Sequence, residues 1–310
     1  MQGTGIRRRH HLWDRIVEAR YIYLLILPGV IWFAVWCYGP MYGLLLAFKK
    51  YNASLGILHS PWVGLSNFER IFITPAFGNA FQNTCIISFS RILFEFPAPI
   101  LLAIMINEMC ARSIKRIYQT IYTFPNFLSW VIVSMILESF LSNSGSVNSI
   151  LAAMGRNKID FLANKTLFRP LLYLTSIWKS AGWSSIIYMA VLMSIDPQLY
   201  EAAEIDGASR LRRIWHITLP GLKGIIVIQL ILSIGGVMNG GFDQIFNMYN
   251  PVVKPVSDII DTYVYAITFE TAPNYGFSTA VGMFKSIINF ALLLSANYLS
   301  KLINGSGLFR

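Results

Sequence analysis

The sequence predicts an all-α polytopic membrane protein with six transmembrane helices, and three observations support this fold class. The chain of 310 residues is 55% hydrophobic and only 13% charged, whereas a soluble domain carries about 25% charged residues. Six apolar segments each exceed the roughly 20 residues that a helix needs to cross the hydrocarbon core of a bilayer. Basic residues are concentrated in alternate connections between these segments. Membrane lipid is therefore the expected solvent of much of the surface.

The six predicted spans are predominantly apolar runs at Tyr21–Phe48, Phe81–Asn107, Ile117–Leu141, Leu171–Ile195, Ile225–Phe246 and Thr279–Ile303. The first follows Arg7-Arg8-Arg9 as in a secretory signal. It is too long for a signal core, however, and no small-residue cleavage site closes it, so we expect a retained span. Prolines such as Pro97 and Pro125 do not argue against these helices, because neighbouring helices can satisfy the backbone groups that proline frees.

The distribution of lysine and arginine predicts the orientation of the chain. With the N-terminus inside, fourteen basic residues lie on the cytoplasmic side and eight on the other side. Both termini and the connection after the fourth span are therefore predicted to be cytoplasmic. Residues 1–20 form the predicted basic tail, and residues 21–310 form the six-helix membrane domain. The net charge of +10 follows from this asymmetry without a nucleic-acid partner.

The sequence over residues 196–224 predicts a short folded connection made of two helices and a turn. Asp196 is a good N-cap and Pro197 suits the first helical position. Gly207 permits a left-handed turn, and Ala208–Ile217 suits a second, amphipathic helix that Pro220 is expected to end before the next span. An interfacial helix resting on lipid headgroups would show the same mixture of residues. A DNA-binding helix-turn-helix is excluded, because adjacent spans hold the segment against the bilayer.

The residue pattern of this connection resembles the EAA loop of permease subunits of binding-protein-dependent ABC importers. The matching residues are Glu201, Ala202, Ala203, Asp206, Gly207, Ile217, Leu219 and Pro220. Pro40-Met41-Tyr42-Gly43, Trp62-Val63-Gly64-Leu65-x-Asn67-Phe68 and Asp196-Pro197-x-Leu199-Tyr200 further resemble the carbohydrate-uptake branch. Within that branch the chain is most similar to permeases of complex-oligosaccharide importers, and the resemblance covers essentially the whole chain.

The resemblance implies a fold like that of the maltose importer, a type I ABC importer, in a bacterial inner membrane. It also implies a homologous second permease, two cytoplasmic ABC ATPases that accept the EAA loops, and an extracellular or periplasmic solute-binding protein. The eight matching residues would form the contact with the ATPase. No Walker-type phosphate loop occurs in the chain, so ATP and Mg²⁺ are expected on the partner ATPase and no cofactor is expected here.

Polar residues inside the predicted spans indicate a path for substrate, because such residues are costly in lipid. In the resembling family, substrate contacts lie largely on the helices that flank the EAA loop. The predicted path residues are Trp178, Lys179, Trp183, Asn239 and Asp243. Four nearby glycines fit either close helix packing or a partly unwound path. The cations Arg91, Lys179 and Lys285 fit an acidic, uronate-containing oligosaccharide and fit structural ion pairs equally well, so the charge of the cargo stays open.

Three alternatives accompany the prediction of an oligosaccharide permease. The same architecture could carry a peptide, a polyamine or a phosphate ester. A secondary transporter driven by an ion gradient would work without an ATPase. A membrane-embedded enzyme is the least favoured, because the sequence offers no assembled nucleophile, acid pair or metal cluster. No catalytic residue and no metal ligand are predicted.

Overall fold

The computed structural model describes residues 17, 19–109 and 111–304. Within them every regular element is a helix of α, 3-10 or π type, as the sequence predicts. The basic tail residues Arg7, Arg8, Arg9 and Arg15 and the C-terminal Arg310 lie outside the described residues. The tail over residues 1–20 and the cytoplasmic placement of both termini therefore remain predictions.

The α-helices are α1 Arg20–Trp32, α2 Gly56–His59, α3 Ser66–Ile73, α4 Pro75–Phe94, α5 Pro97–Asn107, α6 Arg112–Thr123, α7 Trp130–Leu141, α8 Ser146–Ala153, α9 Lys165–Leu192, α10 Pro197–Ile205, α11 Arg210–Arg213, α12 Leu219–Gly235, α13 Phe242–Met248, α14 Lys254–Ser257, α15 Ile260–Tyr265 and α16 Tyr275–Asn304. The 3-10 segments are Gly39–Phe48, Phe124–Phe127 and Val237–Asn239, and the π segments are Phe33–Tyr38, Ile214–Thr218 and Ala266–Glu270.

In the described part of the chain, five helical stretches are long and apolar enough to cross a membrane, one fewer than predicted. They are Arg20–Phe48, Pro75–Asn107, Trp130–Ala153, Arg210–Gly235 and Tyr275–Leu302. The predicted fourth span, Leu171–Ile195, corresponds to α9, whose 28 residues would extend about 42 Å. Serines and charged residues such as Arg169 and Lys179 dilute its apolar character, so the sixth span rests on length alone.

The predicted third span, Ile117–Leu141, is wrong as a continuous helix. The amphipathic α6 ends at Thr123, and the 3-10 segment Phe124–Phe127 follows. Pro125 begins that tighter turn, and Leu128 is extended. Ser129 then caps the next helix, because its hydroxyl accepts a hydrogen bond from the Ile132 N–H at 3.3 Å. Proline and a new N-cap together divide the segment.

The predicted fifth span, Ile225–Phe246, is also wrong as a continuous helix. Helix α12 ends at Gly235, and a short 3-10 segment leads to Gly240 and Gly241, whose φ angles are +54° and +86°. These left-handed conformations favour glycine and cannot continue a right-handed helix. Both alternatives for the glycines occur: the chain is partly unwound at Gly240 and Gly241, and a Cβ on Gly235 would lie 2.6 Å from the Leu293 side chain. The segment Gly236–Gly241 is called the glycine break below.

The helices pack around three buried apolar clusters, and one of them joins the 196–224 connection to the rest of the protein. In this cluster Ile100, Tyr188 and Leu222 come from α5, α9 and α12, respectively. By contrast, no residue of α1 is buried, whereas Ala47, at the end of the first span, lies in another buried cluster. Through Leu222 the connection is therefore packed against α5 and α9.

Candidate functional site

The first half of the 196–224 connection folds as predicted. The Asp196 carboxylate accepts a hydrogen bond from the Gln198 N–H at 2.9 Å, and Pro197 occupies the first turn of α10. The aspartate side chain thereby satisfies a backbone donor that lacks a partner within the helix. This cap fixes where α10 begins, immediately after the long helix α9.

The turn at Gly207 is a Schellman motif. Gly207 has φ +73°, the Ala208 N–H donates to the Ala203 carbonyl at 2.9 Å, and the Gly207 N–H donates to the Glu204 carbonyl at 3.0 Å. These two bonds satisfy carbonyls that the end of α10 would leave unpaired. A Cβ built on Gly207 meets no atom within 4 Å. Backbone conformation, rather than lack of space within the chain, therefore requires glycine here.

Side-chain contacts brace the two arms of the connection. The Arg213 guanidinium donates to the Glu204 carboxylate at 2.9 Å, and the hydroxyl groups of Tyr200 and Thr218 lie 3.1 Å apart. The eight residues of the EAA pattern all lie on this braced segment. Of these, Ala203, Ile217 and Leu219 are half-buried, and the other five are exposed.

The surface of the connection exposes large apolar side chains. Ile205, at the end of α10, is 87% exposed, while Leu211 and Trp215 are 66% and 63% exposed. Such side chains beside an exposed Glu201 suit either a protein partner or the lipid headgroups. Hydrogen bonds within the connection hold its two arms together as one folded unit.

Pro220 does not end the second arm, contrary to the sequence prediction. Helix α11 passes through the π segment Ile214–Thr218 directly into α12. Together they form one helical stretch, Arg210–Gly235. Pro220 occupies the first turn of α12, directly after the wide π turn, where the loss of a backbone donor is tolerated.

A cavity of about 590 Å³ lies between this helix, α4, α9 and the glycine break. Its lining residues are Ser88, Arg91, Ile92, Glu95, Phe96, Pro99, Ser180, Trp183, Ser184, Ile187, Tyr188, Gln229, Leu232, Ser233, Gly236, Val237, Asn239, Gly240 and Gly241. Hydroxyl and amide groups alternate with aromatic and aliphatic side chains. Such a wall suits a polyhydroxylated ligand, whose ring faces are apolar and whose edges form hydrogen bonds.

The structure separates the five predicted path residues. Trp183 and Asn239 line the large cavity, and Asn239 and Asp243 line a neighbouring cavity of about 330 Å³. Trp178 and Lys179 line neither cavity. The Lys179 ammonium donates to the Asn126 carbonyl at 3.0 Å, at the break between α6 and α7. Whether any of the five contacts substrate remains a prediction.

Two of the three cations whose role the sequence left open form ion pairs. The Lys285 ammonium lies 2.6 and 2.8 Å from the two carboxylate oxygens of Asp261. Arg91 pairs with Glu95 on the adjacent turn at 3.7 Å, and it also lines both cavities. Lys285 is therefore a structural partner of Asp261, whereas Arg91 combines an ion pair with access to the cavities.

Several cavity residues were not predicted from the sequence. Ser180 and Ser184 lie one helical turn apart on α9, near Trp183, and Gln229 interrupts an otherwise aliphatic run in α12. The spacing of the serines and the isolated glutamine are signals that the sequence does contain. They were missed because serine is tolerated in membrane helices without a functional reason.

Comparisons with known proteins agree over nearly the whole chain. Residues 95–305 match the family model described as "Binding-protein-dependent transport system inner membrane component". The chain is 42% identical to the polygalacturonan/rhamnogalacturonan transport system permease protein YteP of Bacillus subtilis, over 97% of this chain and 94% of that protein. It is 41% identical to Protein LplB of the same species, over 94% of this chain and 91% of that protein.

Solved structures give the same result. A bacterial ABC transporter involved in the import of the acidic polysaccharide alginate matches with a TM-score of 0.87 and 38% identity, over 94% of this chain and 99% of that chain. A bacterial alginate ABC transporter in complex with an alginate pentasaccharide-bound periplasmic protein matches equally well, over 96% of this chain and 99% of that chain. The fold and the family are thus supported independently.

Proposed function

Because the chain belongs to the family of binding-protein-dependent transport system inner membrane components, we propose that it is the permease subunit of an ABC importer that moves oligosaccharides into the cell, including acidic oligosaccharides that contain uronate. The permease lies in a bacterial inner membrane, with both termini on the cytoplasmic side. The basic residues of the tail and of the 196–224 connection support this orientation.

One geometric observation carries the transport mechanism: a single helix joins the exposed connection to the wall of the large cavity. Arg210–Gly235 begins beside the Gly207 turn, and it presents Gln229 and Ser233 to the cavity before it ends at the glycine break. Its 26 residues span about 39 Å. A force on the connection is therefore transmitted along this helix to one wall of the cavity, which is how an alternating-access step can begin.

The force comes from ATPase subunits that receive the 196–224 connection. The exposed Ile205, Leu211 and Trp215 and the Gly207 turn support this docking role, with Glu201, Ala202, Ala203 and Asp206 on the first arm. ATP and Mg²⁺ bind to the ATPases, and this chain contributes no catalytic group. A homologous second permease completes the path, and a solute-binding protein delivers the cargo from outside.

Uronate-containing oligosaccharides are the proposed cargo. The support comes from the relative that transports polygalacturonan and rhamnogalacturonan and from the transporter of the acidic polysaccharide alginate. The half-exposed Trp183 ring and the amide of Asn239 at the cavity supply stacking and hydrogen bonding to sugar rings. We propose this cavity as the part of the path that the chain contributes.

The proposal is tested with proteoliposomes that contain this chain, its second permease and the two ATPases, with a solute-binding protein outside. We expect oligogalacturonate to enter only when ATP is supplied on the ATPase side. Cargo entry that needs an ion gradient and proceeds without the ATPases would contradict the proposal. Failure of every glycan to enter, with ATP-driven uptake of another solute, would contradict the sugar assignment alone.

A further inference from the structure

Arg91 lies at the boundary between the two cavities of the proposed path. Arg91, Asn239 and Gly241 line both the 590 Å³ cavity and the 330 Å³ cavity. Among the residues that line either cavity, Arg91 is the one cation. A cargo that passes between the cavities therefore passes the guanidinium.

Residues around the Arg91 guanidinium hold it at the boundary between the two cavities. Its Nη2 donates to the Gln244 side-chain oxygen at 2.5 Å. The amide of the buried Gln244 is itself fixed by bonds to the Leu172 carbonyl at 2.8 Å and the Thr175 hydroxyl at 2.9 Å. A Cβ on Gly241 would lie 2.7–2.9 Å from three guanidinium atoms. A side chain at position 241 would therefore displace the guanidinium from its place at the break.

Glu95, the counter-ion of Arg91, does not saturate the hydrogen-bond donors of the guanidinium. The nearest carboxylate oxygen, Glu95 Oε1, is 3.7 Å from Nη1, which is too long for a hydrogen bond. The other oxygen of Glu95 accepts from the Ser176 hydroxyl at 2.7 Å. Glu95 Oε1 and Arg91 Nε have no hydrogen-bond partner among the described residues. Because a guanidinium favours short, bidentate contacts with carboxylates, this loose pair can yield to a better-placed anion.

The surrounding charges place that anion on the side of the large cavity. Glu95 is the one carboxylate among the residues that line the large cavity. The smaller cavity holds Asp243 and Asp261, and only Asp261 is neutralised, by Lys285. An anion in the smaller cavity would be repelled by the exposed Asp243. An anion beside Arg91 in the large cavity meets only Glu95, one oxygen of which accepts a hydrogen bond from Ser176.

We propose that Arg91 binds the carboxylate of a uronate residue as the glycan passes between the two cavities, and that it thereby selects acidic cargo. The carboxylate displaces the long contact with Glu95, while Gln244 and Gly241 keep the guanidinium in place. This inference rests on the proposed import of uronate oligosaccharides. It assigns the recognition of charge to Arg91 rather than to Lys179 or Lys285, neither of which lines either cavity.

The test compares two cargoes of equal length in the reconstituted importer, oligogalacturonate and its fully methyl-esterified, neutral form. Uptake by each variant is divided by native uptake of the same cargo, so that preferences of the solute-binding protein cancel. We expect Arg91→Gln to lower uptake of the acidic cargo about tenfold more than uptake of the neutral cargo, as the loss of a charge-assisted contact predicts. Glu95→Gln removes the competing carboxylate and should shift the preference the other way.

Arg169→Gln is the matched control. Arg169 is also a hydrogen-bonded arginine, donating to the Asn83 side chain at 2.8 Å and the Val256 carbonyl at 3.0 Å, but it lines neither cavity. The Arg169→Gln variant should lower uptake of both cargoes by the same factor. Equal losses of both cargoes in Arg91→Gln, or an unchanged preference in Glu95→Gln, would overturn the inference and leave the proposed function intact. A native importer that takes up neither cargo would contradict the proposed function itself.

Discussion

Substitutions at Gly207 test the proposed coupling role, because backbone strain and added bulk at this position have different expected effects. Its φ of +73° lies in the left-handed region, where an L-residue costs about 1–2 kcal/mol. A Cβ at this position meets no atom within 4 Å, so Gly207→Ala adds this strain without a collision. We expect the native turn to lose about five- to thirtyfold in relative population.

A series of substitutions at Gly207 separates the effect of backbone strain from the effect of a bulky side chain. Gly207→Asn should retain most activity, because asparagine tolerates the left-handed region. Gly207→Trp adds a bulky ring to the exposed surface and should abolish both cargo-stimulated ATP hydrolysis and ATP-driven uptake in the reconstituted complex. Binding of the ATPases is measured by their co-purification with the permease.

Gly155→Ala provides the control for strain. Gly155 has φ +71° and no atom within 4 Å of a built Cβ, but it lies in a connection predicted on the opposite side of the membrane. Gly155→Ala should therefore lower thermal stability as much as Gly207→Ala and leave ATP coupling unchanged. Native coupling in Gly207→Trp would refute the docking role, and equal loss of coupling in both alanine variants would show that strain alone is responsible.

Three further predictions concern the cavity, the packing of helices and pH. Trp183→Leu should lower oligosaccharide uptake about tenfold through lost stacking, whereas Trp178→Leu, on a residue equally 50% exposed, should lower it much less; the reverse order in uptake assays would contradict the assigned cavity. Gly182→Ala places a Cβ against the Tyr122 backbone, so it should destabilise the fold by about 3 kcal/mol or more, as measured by the yield of monodisperse protein; a native yield would contradict this packing. Burial raises the pKa of the Asp258 carboxyl above its ordinary value, against smaller lowering effects of Thr262 and Lys254. Between the ordinary and the raised pKa the folded state binds more protons than the unfolded state, so stability should fall as pH rises through this window and less so in Asp258→Asn; identical melting curves against pH would contradict the assignment.

The parts of the fold that local sequence determines were predictable. The Asp196 cap, the Gly207 turn and the apolar character of the first, second and last spans all follow from short stretches of sequence. The family resemblance likewise rests on residues within the 196–224 connection and on short motifs elsewhere. Such features need no knowledge of which helices are neighbours.

The breaks in the third and fifth predicted spans were harder to predict, because apolar composition alone does not distinguish a continuous helix from two packed pieces. Pro125 and the glycines were visible, yet proline and glycine are tolerated inside membrane helices. Pro220 shows the opposite error. It was expected to stop a helix, but a π turn accommodates it and the helix continues.

Arg91 has a local partner in Glu95 on the adjacent turn, but the other contacts of the three cations are long-range. Lys285 pairs with Asp261 at a separation of 24 residues, and Lys179 donates to Asn126 at a separation of 53 residues. Arg91 meets Gln244 from 153 residues away. No local pattern announces such pairs, which is why sequence reasoning left structural and substrate-binding roles open for all three cations.

In the proposed mechanism, the helix Arg210–Gly235 carries motion from the 196–224 connection to the cavity wall as one rigid body. Distances between spin labels in a cysteine-free background test this, with one pair at Arg212→Cys and Ser233→Cys and another at Ser180→Cys and Ser233→Cys. The first pair should stay at about 32 Å when ATP is trapped on the ATPases, while the second pair, across the cavity, should change. A first distance that changes, or a second distance that stays constant through the ATP cycle, would show that this helix does not couple the connection to the cavity.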